Sequence, residues 1–483
     1  MTTHLTGITT KKNENFSEWY LELVYKTKMI VNYDVSGCYA LLPNSYSIWE
    51  QIQKYLDIRF KSLKVENVYF PLLITEKNLS KEVSHLEGFT PEVAWVTKVG
   101  KTDLAEKLAV RPTSECVIYP LLPGLIRSHN DLPLKYNQWC SVVRWEFKDP
   151  TPFIRSREFL WQEGHTAHKN MEDAMSEIHE IISIYKDAYR LLLCVPVICG
   201  KKTSKETFAG AFETHTIETF IPSAGKAIQA ATAHCLADNF SKIFDIKFTD
   251  KDQKICFAIQ NSWGFTTRSI GIMLMTHGDD KGAIFPPLVA PKQIVIIPIY
   301  TTTNESTVIS YCEKLYDLLL PTYRVELDLR KWKPGAKYNH WELLGVPIRL
   351  EIGIKEIKTA SAILYRRDTT EKENVPLTNI IPTIASKMIA IADNLYATAY
   401  KKIYSSITDP QNLEALSDAF NNKQLCLINW CQTPACTDYL DHHFKAKSLC
   451  IPNDKAFPSI SQNPLCVICN TTGKTSCLYG KSY

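Results

Sequence analysis

The chain has 483 residues, too many for one ordinary domain, and 45% of them are hydrophobic, enough to bury real cores. The 22% of charged residues nearly cancel to a net charge of +4, a balance that neither requires nor excludes RNA as a partner but is no overall basic bias. No stretch approaches 18 uninterrupted apolar residues, which argues against a membrane-spanning helix, and the first residues lack the basic-then-apolar pattern of a secretory leader. The cysteines number 15, an odd count, which fits a reducing, cytoplasmic setting where clustered thiols serve metals more often than disulfides.

In chain order, residues 45–63 predict an amphipathic helix. Ile48, Ile52, Leu56, Phe60 and Leu63 recur at helical spacing, and Ser47 with Glu50 has the form of a capping box. Short alternations such as Trp139–Phe147 predict strands. Residues 170–193 predict a second helix with Met171, Ile178, Ile182, Tyr185 and Tyr189 on one face. Strands with hairpin-like links beside helices make an α+β unit with an antiparallel sheet.

Near residue 290 the pattern changes. Gln293–Ile299 is an almost unbroken apolar run, as a strand covered on both faces requires. A helical stretch at 305–320, a strand at Tyr323–Leu327, Pro334-Gly335 as punctuation, then strands at Pro347–Ile352 and Ser361–Tyr365 predict an α/β unit. A long helix at about 380–405 leads out of it. Seven of the 15 cysteines fall in the last 80 residues and mark a third, small α+β unit. The expected division is therefore 1–288, 289–402 and 403–483.

Cys431 and Cys436 form one knuckle-like pair, Cys466 and Cys469 another. Four thiolates suit tetrahedral Zn²⁺, and a site with no open position is structural. Cys426, Cys450, Cys477, His442 and His443 are further donors nearby that leave the set open. A zinc hydrolase would need an open metal position and a base, which these pairs do not offer.

The segments Arg111-Pro-Thr113-Ser-Glu115, Arg144-Trp-Glu146, Arg155-Ser156-Arg-Glu-Phe159 and Gly264-Phe-Thr266-Thr-Arg268 are rich in fixed positive charge, and none is a phosphate-cradling glycine loop. Their order resembles the active site of class II aminoacyl-tRNA synthetases. Arg144 to Glu163 is similar to the second signature motif, Gly264–Gly271 to the third, and Phe70-Pro71 to the first, dimer-forming one. The surroundings resemble the prolyl-tRNA synthetases of archaeal and eukaryotic type: residues 88–96, Asn137–Phe147, Phe159–His165 and Asn261–Arg268. The resemblance runs from about residue 15 to Tyr483.

The resemblance implies ATP with Mg²⁺, proline and tRNA(Pro) as substrates and partners, and a homodimer. Arg144 and Arg268 would be catalytic with Glu115. Thr113, Glu115, Arg144, Trp161, Glu163, His165 and His234 would hold proline. Arg144, Glu146, Arg155, Ser156, Phe159, Gln229, Thr232, Thr266 and Arg268 would hold ATP, with Phe159 stacked on adenine. A planar guanidinium grips two phosphate oxygens where an ammonium meets one, which suits arginine to this work. The α/β unit would read the anticodon through Glu342 and Arg349, the last unit would bind zinc, and the Tyr483 tail would lie near the active site. No room for the large editing insertion of many bacterial relatives is expected between Arg144 and Arg268. The chain departs from the family at Ala211–His215 and at Ala230-Ala231, where glycines are expected and added methyls are predicted to reshape the site. A synthetase of another specificity, such as threonyl, and a non-catalytic tRNA-binding relative are the alternatives.

Overall fold

The structure is a computed structural model, and it describes residues 7–85, 92–146, 148–453 and 461–483. Residues 88–91 and Phe147, which carry part of the resemblance, and the first six residues lie outside the described residues.

Helix α1 (Pro43–Ser62) buries Ile48, Ile52, Leu56 and Phe60, one face of a 3.6-residue period. Its start corrects the expected capping box. Pro43 occupies the first turn, Leu42 is the N-cap, and no side chain caps it. A proline there needs no hydrogen bond from its nitrogen and has its φ preset, so Ser47 lies inside the helix.

The strands that follow build one antiparallel platform. They are β1 (Leu134–Val143), β2 (Glu158–His168), β3 (Ile198–Lys201), β4 (Glu213–Ile221), β5 (Lys226–Ala237) and β6 (Ile259–Thr266), hydrogen-bonded in the order β3-β4-β5-β6-β2-β1. Helix α2 (Met171–Asp187) lies between β2 and β3 in the chain, its amide of Asp173 capped by Asn170 at 2.8 Å. Ile178, Tyr185 and Tyr189 enter the same core as α1 and the strands, with Met171 and Ile182 packed at its margin. Helix α3 (Arg268–His277) leaves β6 after a single residue and is apolar almost all round, as befits its burial.

The second sheet joins β7 (Ile294–Pro298), β8 (Val325–Leu327), β9 (Ile348–Ile352), β10 (Ser361–Arg366) and β11 (Lys372–Pro376) in the order β8-β7-β9-β10-β11. β7 is parallel to β8 and β9, and the last pairs are antiparallel. Helix α4 (Glu305–Leu319) is the crossover from β7 to β8. Pro334-Gly335, expected as a break between elements, instead begins helix α5 (Pro334–Leu343), with proline again in the first turn. Helix α6 (Ile380–Tyr404) carries the chain onward.

Three strands near the end of the chain, β12 (Leu425–Trp430), β13 (Lys447–Pro452) and β14 (Thr475–Gly480), do not form a sheet apart. Ile451 and Pro452 of β13 pair with Lys201 and Gly200 of β3, so β12-β14-β13 extends the first platform. Gly200 is required at that seam. A Cβ there would lie 2.5 Å from the Ile451 carbonyl oxygen and 2.7 Å from the Cys450 sulfur. The Cys-rich end of the chain is thus fixed to the sheet that carries the expected site.

Candidate active site

A cavity of about 280 Å³ opens on one face of β2, β5 and β6. Residues two apart on a strand share a face, so Phe159, Trp161, Glu163 and His165 of β2 all line it. Thr232 and His234 enter from β5 by the same rule. Gln229 does not fit that period. Between Ile217 and Glu218 the β4–β5 register slips, and Ala230 is the extra residue. The bulge turns Gln229 back toward the cavity. Neither Ala230 nor Ala231 has positive φ, so the backbone here does not demand glycine, and both methyls form part of the wall. Ser262, Gly264 and Thr266 complete the lining from β6, and Gly164 is bare because a Cβ would meet the Trp263 ring at 2.2 Å.

Of the expected site residues, Thr113, Glu115, Arg144, Ser156, Phe159, Trp161, Glu163, His165, Gln229, Thr232, His234, Thr266 and Arg268 face this one cavity. Arg155 lines an adjoining one with Arg268 and Gln229. Glu146 is exposed and lies outside both linings. Phe208, Thr214 and Ser262 line the cavity without having been anticipated. Strand alternation identifies Ser262, two residues before Gly264. Nothing local in the sequence brings Phe208 beside His234, where the rings lie 4.6 Å apart.

The polar end is closely wired. Thr113 donates to Glu115, and Ser114 to Glu163. Glu163 also accepts from Gln138 Nε2 at 2.9 Å and meets His165 Nε2 at 3.0 Å, while Tyr119 Oη lies 3.0 Å from His165 Nδ1. Burial alone would raise the Glu163 pKa, but the hydrogen bond and charge of His165, with Ser114 and Gln138, hold it below the usual carboxylate range. Trp161 Nε1 donates to Cys140 Sγ at 3.2 Å, which fixes the indole as a wall. His234 is pushed down to about 3 by burial and then by the Arg144 charge, so it is neutral at physiological pH, with Nδ1 2.9 Å from Thr214 Oγ1.

The cationic end is held by backbone. Arg144 Nε donates to the Pro112 carbonyl at 2.9 Å, and its guanidinium stands 5.3 Å from the Trp161 ring and 5.7 Å from that of Phe159. Arg268 donates to the carbonyls of Ile154 (3.2 Å) and Gln229 (3.3 Å). Burial lowers the Arg268 pKa, as do the charges of Arg144 and Arg155, so the three guanidiniums feel one another's field. Such fixed positive groups stabilise charge developing on phosphate oxygens without reorganising.

Two other expected sites lie elsewhere. Arg349 is buried against Glu351 (2.9 Å) and stacked on Tyr365 (3.9 Å), whose hydroxyl donates to Glu342 at 2.6 Å, so the two residues flank one tyrosine. The sulfurs of Cys431, Cys436, Cys466 and Cys469 lie within 4.8 Å of one another. Cys477 instead donates to the Cys450 carbonyl at 3.3 Å, and His443 is exposed and bonded to the Tyr439 carbonyl, so these spare donors are outside the set.

An antiparallel platform on which Arg144, just after β1, and Arg268 of α3 meet in one cavity, with Arg155 ahead of β2 in the adjoining one, defines a class II aminoacyl-tRNA synthetase. Residues 95–277 match the tRNA synthetase class II core domain (G, H, P, S and T), residues 293–387 the anticodon binding domain, and residues 413–483 the prolyl-tRNA synthetase C-terminal domain. The chain is 44% identical to the cytoplasmic proline--tRNA ligase of Arabidopsis thaliana, over 99% of its own length and 91% of that protein's. Prolyl-tRNA synthetase from Cryptosporidium parvum complexed with halofuginone and AMPPNP superposes with a TM-score of 0.94 at 44% identity, covering 99% of this chain and 97% of that one. The same enzyme complexed with L-proline and AMP gives 0.93 at 42% identity, with the same coverages. The chain belongs to the prolyl-tRNA synthetase family.

Proposed function

We propose that this chain joins proline to ATP and passes the prolyl group to the terminal ribose of tRNA(Pro). The observation that carries this reading is the meeting of Arg144, Arg268, Thr113 and Glu115 on one cavity, with Arg155 in the next. A proline carboxylate oxygen attacks the α-phosphorus, the bond from that phosphorus to the pyrophosphate oxygen breaks, and prolyl-adenylate and pyrophosphate form. The ribose hydroxyl then displaces AMP. No side chain serves as a covalent nucleophile; position and fixed charge carry the rate. Glu115 accepts the substrate ammonium, Trp161 and Phe208 enclose the ring, and Arg144 bridges carboxylate and α-phosphate. Glu206 and Gln229 are hard oxygen donors in the wall that would hold a Mg²⁺ bound with the triphosphate, whose charge would offset that of the phosphates.

The four-cysteine cluster fits structural zinc. At a Zn–S bond of about 2.3 Å a tetrahedron has edges near ~3.8 Å, and Cys431 and Cys469 sulfurs stand 3.7 Å apart. Hydrogen bonds from Thr471 bring the Cys469 thiol down to about 6, already suited to a thiolate ligand. Exposed Tyr69, Leu72, Leu73 and Trp95 beside the first motif support a homodimer. Glu342 and Arg349 are the proposed anticodon contacts. A cytoplasmic location fits a chain in which no described helix is long and apolar enough to cross a membrane. From residue 148 to Arg268 the described chain runs through β2 to β6 without an inserted unit, which favours synthesis without editing in cis.

The direct test is charging of tRNA(Pro) with labelled proline. Formation of an ester-linked product that needs ATP supports the reading, and tRNA binding without charging overturns it.

A further inference from the structure

Beside the main cavity lies a second of about 200 Å³. The two share Ile154, Glu206, Gln229 and Arg268, so the second opens from the arginine end of the first and not from the His165 end. Its outer wall comes from the far end of the sequence, with Lys447 and Ser448 of β13 among its residues. That wall is firmly placed. The hydroxyls of Ser448 and Thr203 lie 2.8 Å apart, and Ala227 N donates to the Lys481 carbonyl at 2.7 Å.

The charges in the wall do not cancel. Lys202 and Glu218, both buried, pair at 2.8 Å and neutralise each other. Arg268 donates only to backbone carbonyls, and the Glu218 carboxylate acts on it only through its field. The Lys447 ammonium, on an exposed side chain, has no hydrogen-bonding or ionic partner among the described residues. Beyond that pair, Arg155, Arg268 and Lys447 line the wall with Glu206 and the chain-end carboxylate of Tyr483, so cations remain in excess. A compact polyanion suits such a wall, since guanidiniums supply paired donors and the ammonium a mobile point charge.

With the nucleotide's outer phosphates on Arg155 and Arg268, as the resemblance implies, we propose that Lys447, brought in by the C-terminal strands, binds the leaving pyrophosphate. The inference rests on the ATP-dependent activation proposed above and deepens it. The seam between β13 and β3 thereby makes the Cys-rich unit part of the activation site, and negative charge gathering on the leaving group as the phosphorus–oxygen bond breaks meets an ammonium already in place.

The experiment is proline-dependent ATP–pyrophosphate exchange by the full chain, with pyrophosphate, ATP and proline varied in turn, for the unaltered protein, Lys447→Ala and Lys447→Arg. The expected result is a KM for pyrophosphate raised about tenfold in Lys447→Ala, the loss of one charge-assisted hydrogen bond. The KM for proline and the melting temperature stay unchanged, and Lys447→Arg restores most of the loss. An unaltered pyrophosphate KM in Lys447→Ala overturns the inference while leaving the proposed function standing. So does an equal rise in the KM for proline accompanied by a lower melting temperature, which marks a structural role. Absence of exchange in the unaltered protein overturns the proposed function and this inference with it.

Discussion

Glu163 and His165, two residues apart on β2, turn their side chains to the same face and meet at 3.0 Å inside the cavity. Ser114 and Gln138 close on the same carboxylate from other elements, so the pair is a fixed post rather than a free acid and base. Glu163→Gln removes the charge and puts one NH2 donor in place of a carboxylate oxygen, facing either His165 or Ser114 and Gln138. Breaking a buried network of this kind costs about 2–4 kcal/mol. The expected result in ATP–pyrophosphate exchange is a KM for proline raised more than tenfold with the KM for ATP changed little. An unchanged KM for proline counts against this role.

Arg144 has its own test. Its Nε is anchored to Pro112, which leaves the outer guanidinium nitrogens to face substrate. Arg144→Ala is expected to lower kcat for exchange by about 10²–10³ or more, the cost of removing a preorganised oxyanion donor. Circular dichroism and melting temperature should match the unaltered protein.

His234 stays neutral because burial and Arg144 hold its pKa at about 3. Its imidazole resonances are expected to show no titration between pH 5 and 8 by NMR. A midpoint near the ordinary histidine value would contradict the placement of Arg144 beside it.

Glu177 provides a pH test of stability. Burial would raise its pKa, but His168, Lys135 and Thr166 bring it down to about 2. A folded-state pKa below the unfolded one stabilises the fold above about pH 4.5, and that contribution is lost as pH falls toward 2. Urea midpoints of the unaltered protein should therefore fall over this range more steeply than those of Glu177→Gln.

Zinc removal bears on the last unit. One zinc per chain is expected by metal analysis, and chelation or Cys466→Ser should lower the melting temperature, because metal binding energy is folding energy.

The elements legible in the sequence are those set by local periodicity. The face of α1, the apolar run of β7 and the alternation along β2 all follow from side-chain spacing. Local signals failed where a proline was read without its position. Pro43 displaced the expected cap at Ser47, and Pro334 opened a helix instead of interrupting the chain. The cavity residues were legible by resemblance, but their wiring was not. The bulge at Ala230 depends on pairing with β4, and the contact of Phe208 with His234 joins residues that no periodicity links. The fusion of β13 to β3 was hidden for the same reason, being a pairing across some 250 residues.

The central claim is that three guanidiniums and the Thr113–Glu115 pair form one site for an imino acid beside a triphosphate. The most direct measurement is ATP–pyrophosphate exchange with each of the twenty amino acids. The account predicts strong exchange with proline and weak exchange at most with alanine and cysteine, since hydrophobic discrimination yields only about 1–3 kcal/mol per methylene. Exchange driven best by threonine or another amino acid, or none with proline, would contradict it.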